Sequence, residues 1–516
     1  MAKPLQDILI LGGGTAGWLT AGILAARHQA KIQANQLSIT LCESPNIPTI
    51  GVGEGTWPTM PKTLQSLGIS EAEFVSECDA SFKLGSKFNG WDRADSEDYY
   101  YHPFEDIHAS KEGLTAEYWL YLQSKGQVTD KYSAMYCFSD LLANAGLGPK
   151  TPENQAYQSV VNYGYHLDAG KFSKFLTRHC TDKLGVKHVL ADITRVNLTP
   201  TGEIDSVLTS KNESLTADLF IDCTGFKALL LGEALNIPFI SVKDCLFADT
   251  AIATQVQYVD AQASISSVTQ STAQRAGWIW DIALPTRRGV GHVFSSKYTD
   301  VNTATEDLYH YIEASGSSTK DLKLKEIKFN PGHRQKFWHK NCVAVGLSAG
   351  FLEPLEASAL ILVELSAQMI ADQLPPTKTC MEISEQRFNK KFRHHWQNAI
   401  NFLKLHYVLS QRDTPFWHDN RTVESIPESL LQMLELFKHK VPNAHDFEVV
   451  GELFSATNYQ FVLYGNQFNT QVAFGLSTAE IDYMARHVTE NQHKMRQFLK
   501  QMPTNRQLLA KMVSQA

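Results

Sequence analysis

Several large classes of protein are excluded by what this sequence lacks. Its eight cysteines (Cys42, Cys78, Cys137, Cys180, Cys223, Cys245, Cys342 and Cys380) are scattered, with no CxxC pair and no Cys/His spacing suited to zinc. That pattern favours reduced thiols over a disulfide framework, and no metal site is expected. No basic run is interleaved with aromatics, and 47 basic against 54 acidic residues give a formal net charge of −7, so nucleic acid is not an expected partner. No uninterrupted apolar run approaches the length of a membrane-spanning helix, and no membrane partner is expected. The opening MAKPLQDILILGGG enters a strand within seven residues, which leaves no room for a signal peptide and makes a cytoplasmic location the expectation. There is no internal repeat and no low-complexity segment.

What is present is a chain of 516 residues with 43% hydrophobic content, enough for two or three domains or for one large enzyme domain with a helical addition. From Asp7 to Cys42 it reads strand, turn, helix, strand: DILIL, GGGTAG, WLTAGILAARH, LSITLCE. Mixed strands and helices continue to about Gln373, and the Pro-rich LPPTKT at 374–379 marks a boundary. Beyond it, 382–412 and 478–502 carry helical periodicity. The expected architecture is an α/β body over 1–373, with pocket-forming segments inserted at about 80–170, and a mainly helical region over 374–516 that completes the substrate pocket. Dense aromatics between 88 and 120 suggest inserted strands that bear a pocket wall.

Gly12, Gly14 and Gly17 form GxGxxG directly after an apolar strand and directly before a helix. The first glycine permits a tight turn, the second lets backbone approach a pyrophosphate, and the third lets the helix pack closely. Glu43 ends the next apolar strand, where a carboxylate can accept hydrogen bonds from a ribose hydroxyl. LFIDCTG at 219–225 and NCVAVGLSAG at 341–350 are further short strands that end in glycine-containing turns. Three such segments over some 350 residues fit FAD, an extended cofactor, better than a compact NAD domain. With no second GxGxxG for a nicotinamide cofactor, the flavin must be reduced by something else or arrive already reduced.

Longer motifs carry a resemblance. GGGTAGW (12–18), ESPNIPTIGVGEGTWPT (43–59), DASFKLGSKFNGW (79–91), YYHPF (100–104), YHLDAGKF (165–172), GWIWDIAL (277–284), VGLSAGFLEPLEASA (345–359) and NFLKLHYVLSQR (401–412) are similar to the flavin-dependent tryptophan/indole halogenases, from Asp7 to about Gly465. The resemblance implies a glutathione-reductase-like or monooxygenase-like FAD-binding body with a mainly helical C-terminal part. It implies that reduced FAD and O₂ form a flavin hydroperoxide, that a bound halide attacks it, and that the hypohalous acid travels to a separate arene pocket. FAD contacts are implied at Thr15, Ala16, Gly51, Val52, Leu347 and Leu360 besides the three glycines and Glu43.

Lys83 matches the lysine that receives and presents the electrophilic halogen. An ammonium can hydrogen-bond and polarise hypohalous acid, and an amine can form a haloamine; a lysine without such a motif is usually a surface residue. Glu356 matches the second essential residue, a carboxylate able to stabilise the cationic arene intermediate or accept its proton, and it also suits the start of a following helix. The halide is implied on the amides of Ser358 and Ala359. The family usually reads E-S-T-G where this chain has E-A-S-A, and loss of that glycine is expected to constrain the loop and favour bromide, larger and more easily oxidised than chloride.

His102 and Phe104 match aromatics that sandwich an indole ring, and Phe454 falls where free-tryptophan enzymes place a stacking tryptophan. Those enzymes grip the amino-acid carboxylate with a Tyr-Tyr pair, and none occurs here after residue 101. The expected substrate is therefore an indole other than free tryptophan, or another electron-rich arene. Trp278, Trp280 and Ile282 fit a Trp-x-Trp-x-Ile-Pro signature beside the flavin, with Ala283 replacing the proline; alternation puts both indoles on one face of a strand, where plain core packing is the other reading. The implied partners are a small aromatic substrate, a separate NAD(P)H-dependent flavin reductase and bromide or chloride, with a homodimer possible. The rivals are a flavin-dependent aromatic hydroxylase, which needs no halide and no distant lysine, and a flavin-binding protein without catalysis of its own.

Overall fold

The computed structural model describes residues 4–514 apart from 48–52, 95–97, 106, 108–113, 129, 450 and 473–474. The chain divides into two compact units between which it passes repeatedly. One comprises Met1–Ala80, Leu167–Val242 and Phe329–Trp396, and the other Ser81–His166, Lys243–Lys328 and Gln397–Ala516.

The first unit is built on a six-stranded sheet in the order Trp338–His339, Cys342–Ala344, Leu219–Asp222, Asp7–Leu11, Ser38–Glu43, Lys187–Leu190. All neighbours are parallel except the first pair. Of the two later strands foreseen in the sequence, Leu219–Asp222 lies beside the GxGxxG strand, with Ile8 opposite Leu219, and Cys342–Ala344 lies beside Leu219–Asp222, with Phe220 opposite Cys342. Ile8, Leu9, Ile10 and Leu11 are at most 2% exposed, because a central parallel strand is covered on both faces. The small residues of TAGWLTAGILAAR let the Thr15–Arg27 helix pack against the Ser358–Asp372 and Ala169–Asp182 helices.

The second unit is built on a seven-stranded sheet: Lys325–Lys328, Thr250–Gln257, Arg287–Phe294, Gly277–Ala283, Thr269–Gln274, Gly85–Asn89, Tyr99–Pro103. Only the pairing of Thr269–Gln274 with Gly85–Asn89 is parallel. Aromatic segments from 88 onward supply two of its strands, followed by the Leu114–Ser124 helix. One sheet face sends Ile252, Val256, Ile279 and Val290 against Ala304, Leu308 and Ile312 of the Val301–Ala314 helix. The periodic C-terminal segments are helices at Met381–Val408 and Thr478–Leu499, the latter opened by a Ser477/Glu480 capping box. All eight cysteines are free, six of them buried. No helix among the described residues is long and apolar enough to cross a membrane.

Candidate active site

The glycine turn follows from its packing. Gly12 has φ +108°, and a Cβ there would lie 2.2 Å from the Cys223 carbonyl oxygen; one on Gly17 would lie 1.9 Å from that of Gly12. These two glycines are needed to fold the turn at all. Gly14 is different: with φ −72° and ψ −178° it has an ordinary backbone, and a Cβ on it would meet nothing within 4 Å. It precedes the Thr15–Arg27 helix with no side-chain cap, so the first-turn amides, including those of Thr15 and Ala16, are left to an external acceptor. Open backbone in front of uncapped amides fits the diphosphate of a dinucleotide.

Glu43 ends its strand as expected, and its carboxylate lies against Gly13, where a Cβ would come 1.6 Å from Oε2. Its other oxygen, Oε1, accepts from His188 Nε2 at 2.8 Å, and the His188 ring packs edge-on to Trp18 at 5.0 Å. One carboxylate oxygen is thereby fixed by a protein partner while the other faces the glycine turn. Leu347 is half-buried in the Gly346–Ser348 turn and Leu360 is buried. Gly51 and Val52 lie outside the described residues. Asp222 organises the neighbouring turn, accepting from the amides of Thr224, Leu230 and Leu231 and from the hydroxyls of Thr224 and Ser348.

Glu356 is only 4% exposed and has φ +61°, and the next residue, Ala357, has φ +53°. Two consecutive non-glycine residues in the left-handed region cost about 1–3 kcal/mol each, an expense typical of sites whose geometry is functional. Trp57 Nε1 donates to the Glu356 carbonyl oxygen at 2.8 Å and holds this turn. Ser358 and Ala359 open the Ser358–Asp372 helix, whose N-cap, Ala357, gives no side-chain cap. Their amides are therefore first-turn donors, and Ala359 is exposed while Ser358 and Leu360 are buried. The constraint expected at Ala359 does not fall there: alanine suits a helix, and the strained backbone is at 356 and 357. Glu353, the neighbouring acid, is buried too.

In the second unit Lys83 is 1% exposed, which removes the surface-lysine reading. It sits on the Ser81–Lys83 strand, paired with Gly164 on the Gly164–Asp168 strand. Its Nζ lies 5.2 Å from the centre of the Phe104 ring. Next along the pairing, His166 stands opposite Ser81 and shares a hydrogen bond with Thr269 Oγ1 at 2.8 Å. Burial, with the Lys83 ammonium adding to it, holds His166 well below the usual imidazole range, so it is neutral.

His102 lies on the Tyr99–Pro103 strand and Phe104 directly follows its end. His102 is 2% exposed and Phe104 half-buried. The His102 ring lies 5.2 Å from Phe402 and 6.3 Å from Phe454. Phe454 stacks on Phe402 with centroids 3.9 Å apart. Lys83, His102, Phe104 and Phe454 thus belong to one unit, and Glu356 with the glycine turn to the other.

Trp278 and Trp280 lie on the sheet face opposite Ile279, their rings 6.4 Å apart. Trp280 stands across from Gly291, where a Cβ would come 2.2 Å from the indole; glycine makes its place. Trp278 packs on Trp91, whose Nε1 donates to the Ser271 carbonyl. Ile282 is 6% exposed. With alanine in place of proline the strand runs on through Ala283, which pairs with Arg288 and accepts from Ser81 Oγ at 2.5 Å.

Sequence reasoning missed Trp57, His188 and Asn458, and it also missed two buried carboxyls. Burial, with Asp168 adding to it, pushes Glu54 up to about 7. Glu364 is pushed to about 7 by burial against the opposing pull of Thr63 and Thr59, whose hydroxyls donate to it at 2.5 and 2.9 Å.

Against known proteins, the family model described as tryptophan halogenase matches residues 7–479. The chain is 32% identical over 458 residues to the tryptophan 6-halogenase ThaL of Streptomyces albogriseolus, covering 86% of this chain and 83% of that protein. Among solved structures it superposes on a tryptophan halogenase from Shewanella frigidimarina with TM-score 0.95 and 45% identity, covering 99% of this chain and 98% of that one. The flavin-dependent halogenase BrvH from Brevundimonas sp. BAL3 gives TM-score 0.86 and 30% identity, covering 98% and 99%.

Proposed function

The chain belongs to the tryptophan halogenase family, and from that premise we propose that it is an FADH₂- and O₂-dependent halogenase of an indole or related electron-rich arene. The observation that carries this reading is Lys83: a lysine 1% exposed, with its Nζ 5.2 Å from the Phe104 ring. A buried ammonium beside an aromatic wall suits a group that handles an electrophile next to an arene.

When bound, reduced FAD supplies with O₂ the oxidising power that turns halide into hypohalous acid. Gly12, Gly14 and Gly17 would hold its diphosphate, and Glu43 would accept from its ribose. The amides of Ser358 and Ala359 hold the halide as first-turn donors. Trp278, Trp280 and Ile282 would serve to keep oxygen from being transferred directly to the arene. Lys83 donates to the hypohalous oxygen and makes the halogen more electrophilic. The arene is held between His102 and Phe104, with Phe454 as a further wall. Glu356 stabilises the cationic intermediate and takes the proton lost from the halogenated carbon.

Absence of the Tyr-Tyr pair supports an indole without the amino-acid group in preference to free tryptophan. Bromide is the favoured halide because it is more easily oxidised. Reduced FAD is delivered by a separate NAD(P)H-dependent reductase. The test is mass spectrometry of products from indole and from free tryptophan, with chloride and bromide both present and a reductase supplying FADH₂. Halide-dependent monobrominated indole as main product supports the reading. Oxygenated product formed without halide makes the enzyme a hydroxylase, and faster turnover of free tryptophan overturns the substrate assignment.

A further inference from the structure

The proposed arene site contains a nucleophile of a kind that hypohalous acid attacks. A neutral imidazole reacts at its pyridine-type nitrogen: the lone pair attacks the halogen of HOX, an N–X bond forms and the X–O bond breaks. The departing hydroxide takes the proton of the other ring nitrogen, leaving an N-haloimidazole and water. His102, two residues from Phe104, is such a ring in the proposed arene site. This argument rests on the halogenase reading above.

The hydrogen bonds around His102 fix which nitrogen is at stake. Asn458 Nδ2 lies 2.8 Å from His102 Nε2. The orientation of the Asn458 amide is settled at its other end, where Oδ1 accepts from the Ser455 amide at 2.7 Å and the Ser455 hydroxyl at 3.1 Å. A backbone N–H can only donate, so the atom facing Ser455 is the oxygen and the atom facing His102 is the NH₂. Nε2 therefore accepts, the ring is neutral, and its proton sits on Nδ1. The one nucleophilic lone pair of His102 is tied up by an amide donor that is itself held by the start of the Ala456–Gly465 helix.

We propose that Asn458 is a positioning residue that protects His102 from halogenation, so that the electrophile passes to the substrate and the ring keeps its stacking face. Phe402 at 5.2 Å, with Phe454 and Phe461 each at 6.3 Å, surrounds the ring and offers the reagent no competing lone pair.

The experiment challenges the flavin-free protein with dilute hypobromous acid and maps modification at His102 by peptide mass spectrometry. The variants are Asn458→Ala, which removes the shield, and Ser455→Ala, which weakens the helix start but leaves Asn458 facing His102. In the wild type and in Ser455→Ala, His102 stays unmodified while exposed sites react. In Asn458→Ala, modification at His102 rises by about ten-fold or more, the ratio one hydrogen bond is worth. Equal modification in wild type and Asn458→Ala, none in either, or a rise in Ser455→Ala matching that in Asn458→Ala overturns the proposal. Because the challenge needs no flavin, a protein that shows the shield yet yields no halogenated product refutes the halogenase reading alone.

Discussion

The indole Nε1 of Trp57 donates to the main-chain carbonyl of Glu356 across 2.8 Å, and that carbonyl belongs to a residue held at φ +61°. The bond ties a side chain from the segment after the strand Gly53–Gly55 to the turn that presents the proposed proton acceptor. Replacement by phenylalanine keeps most of the apolar bulk and removes only the donor. We expect Trp57→Phe to lose about 1 kcal/mol of stability and about ten-fold in kcat, with substrate affinity little changed. Denaturant unfolding together with steady-state kinetics checks the split; a loss confined to stability means that Glu356 does not depend on this tether.

The three glycines of the turn separate folding from cofactor binding. Gly12→Ala and Gly17→Ala drive a Cβ to 2.2 and 1.9 Å from a carbonyl oxygen, whereas Gly14→Ala meets nothing within 4 Å. The first two should therefore lower the melting temperature of the flavin-free protein. Gly14→Ala should fold and melt like the wild type and bind FAD at least about ten-fold more weakly, since the added methyl stands where a phosphate must approach. Thermal unfolding and flavin fluorescence titration give the two readouts. Unchanged FAD affinity in Gly14→Ala places the cofactor elsewhere.

Trp280 owes its position to the missing side chain at Gly291. Gly291→Ala forces the indole aside and should cost about 1–3 kcal/mol by overpacking. Trp280→Phe in the Gly291→Ala background should recover most of that loss, because the smaller ring clears the methyl. A double-mutant cycle in denaturant measures the coupling, and strict additivity shows that the two positions do not touch.

The carboxyl of Glu364 gives the fold a pH dependence of definite sign. Its folded value of about 7 lies above the ordinary 4.5, so between those values the folded chain holds more protons than the unfolded one. Stability should accordingly fall as pH rises through that window, and Glu54, also raised to about 7, acts in the same direction. Glu364→Gln should flatten part of this slope and raise stability above neutrality by at most about 3 kcal/mol. Unfolding free energies between about pH 5 and pH 8 check it; a slope unchanged in the variant assigns the effect to other groups.

Reading from sequence succeeded where the signal was local. The glycine turn, the alternation that places Trp278 and Trp280 on one face, and the strands at 219–225 and 341–350 each declare themselves within a few residues. Burial of Lys83 does not: apart from the motif, nothing near it distinguishes it from a surface lysine, and it is buried because its strand pairs with residues some eighty positions later. The residues missed have partners far along the chain. Trp57 meets Glu356 across 299 positions, Thr59 meets Glu364 across 305, and Asn458 meets His102 across 356. No local periodicity reports such contacts. Ala359 shows the opposite error, since a substitution expected to stiffen a loop falls in the first turn of a helix.

The central claim is that Lys83 activates hypohalous acid towards the arene after the halide has been oxidised. Its most direct test compares wild type with Lys83→Ala under a flavin reductase, O₂, bromide and indole, with a β-diketone trap for free hypohalous acid in a parallel reaction. If the account is right, the variant continues to oxidise reduced FAD and to brominate the trap, while brominated indole falls by about a hundred-fold or more. Indole bromination at the wild-type rate in Lys83→Ala contradicts it.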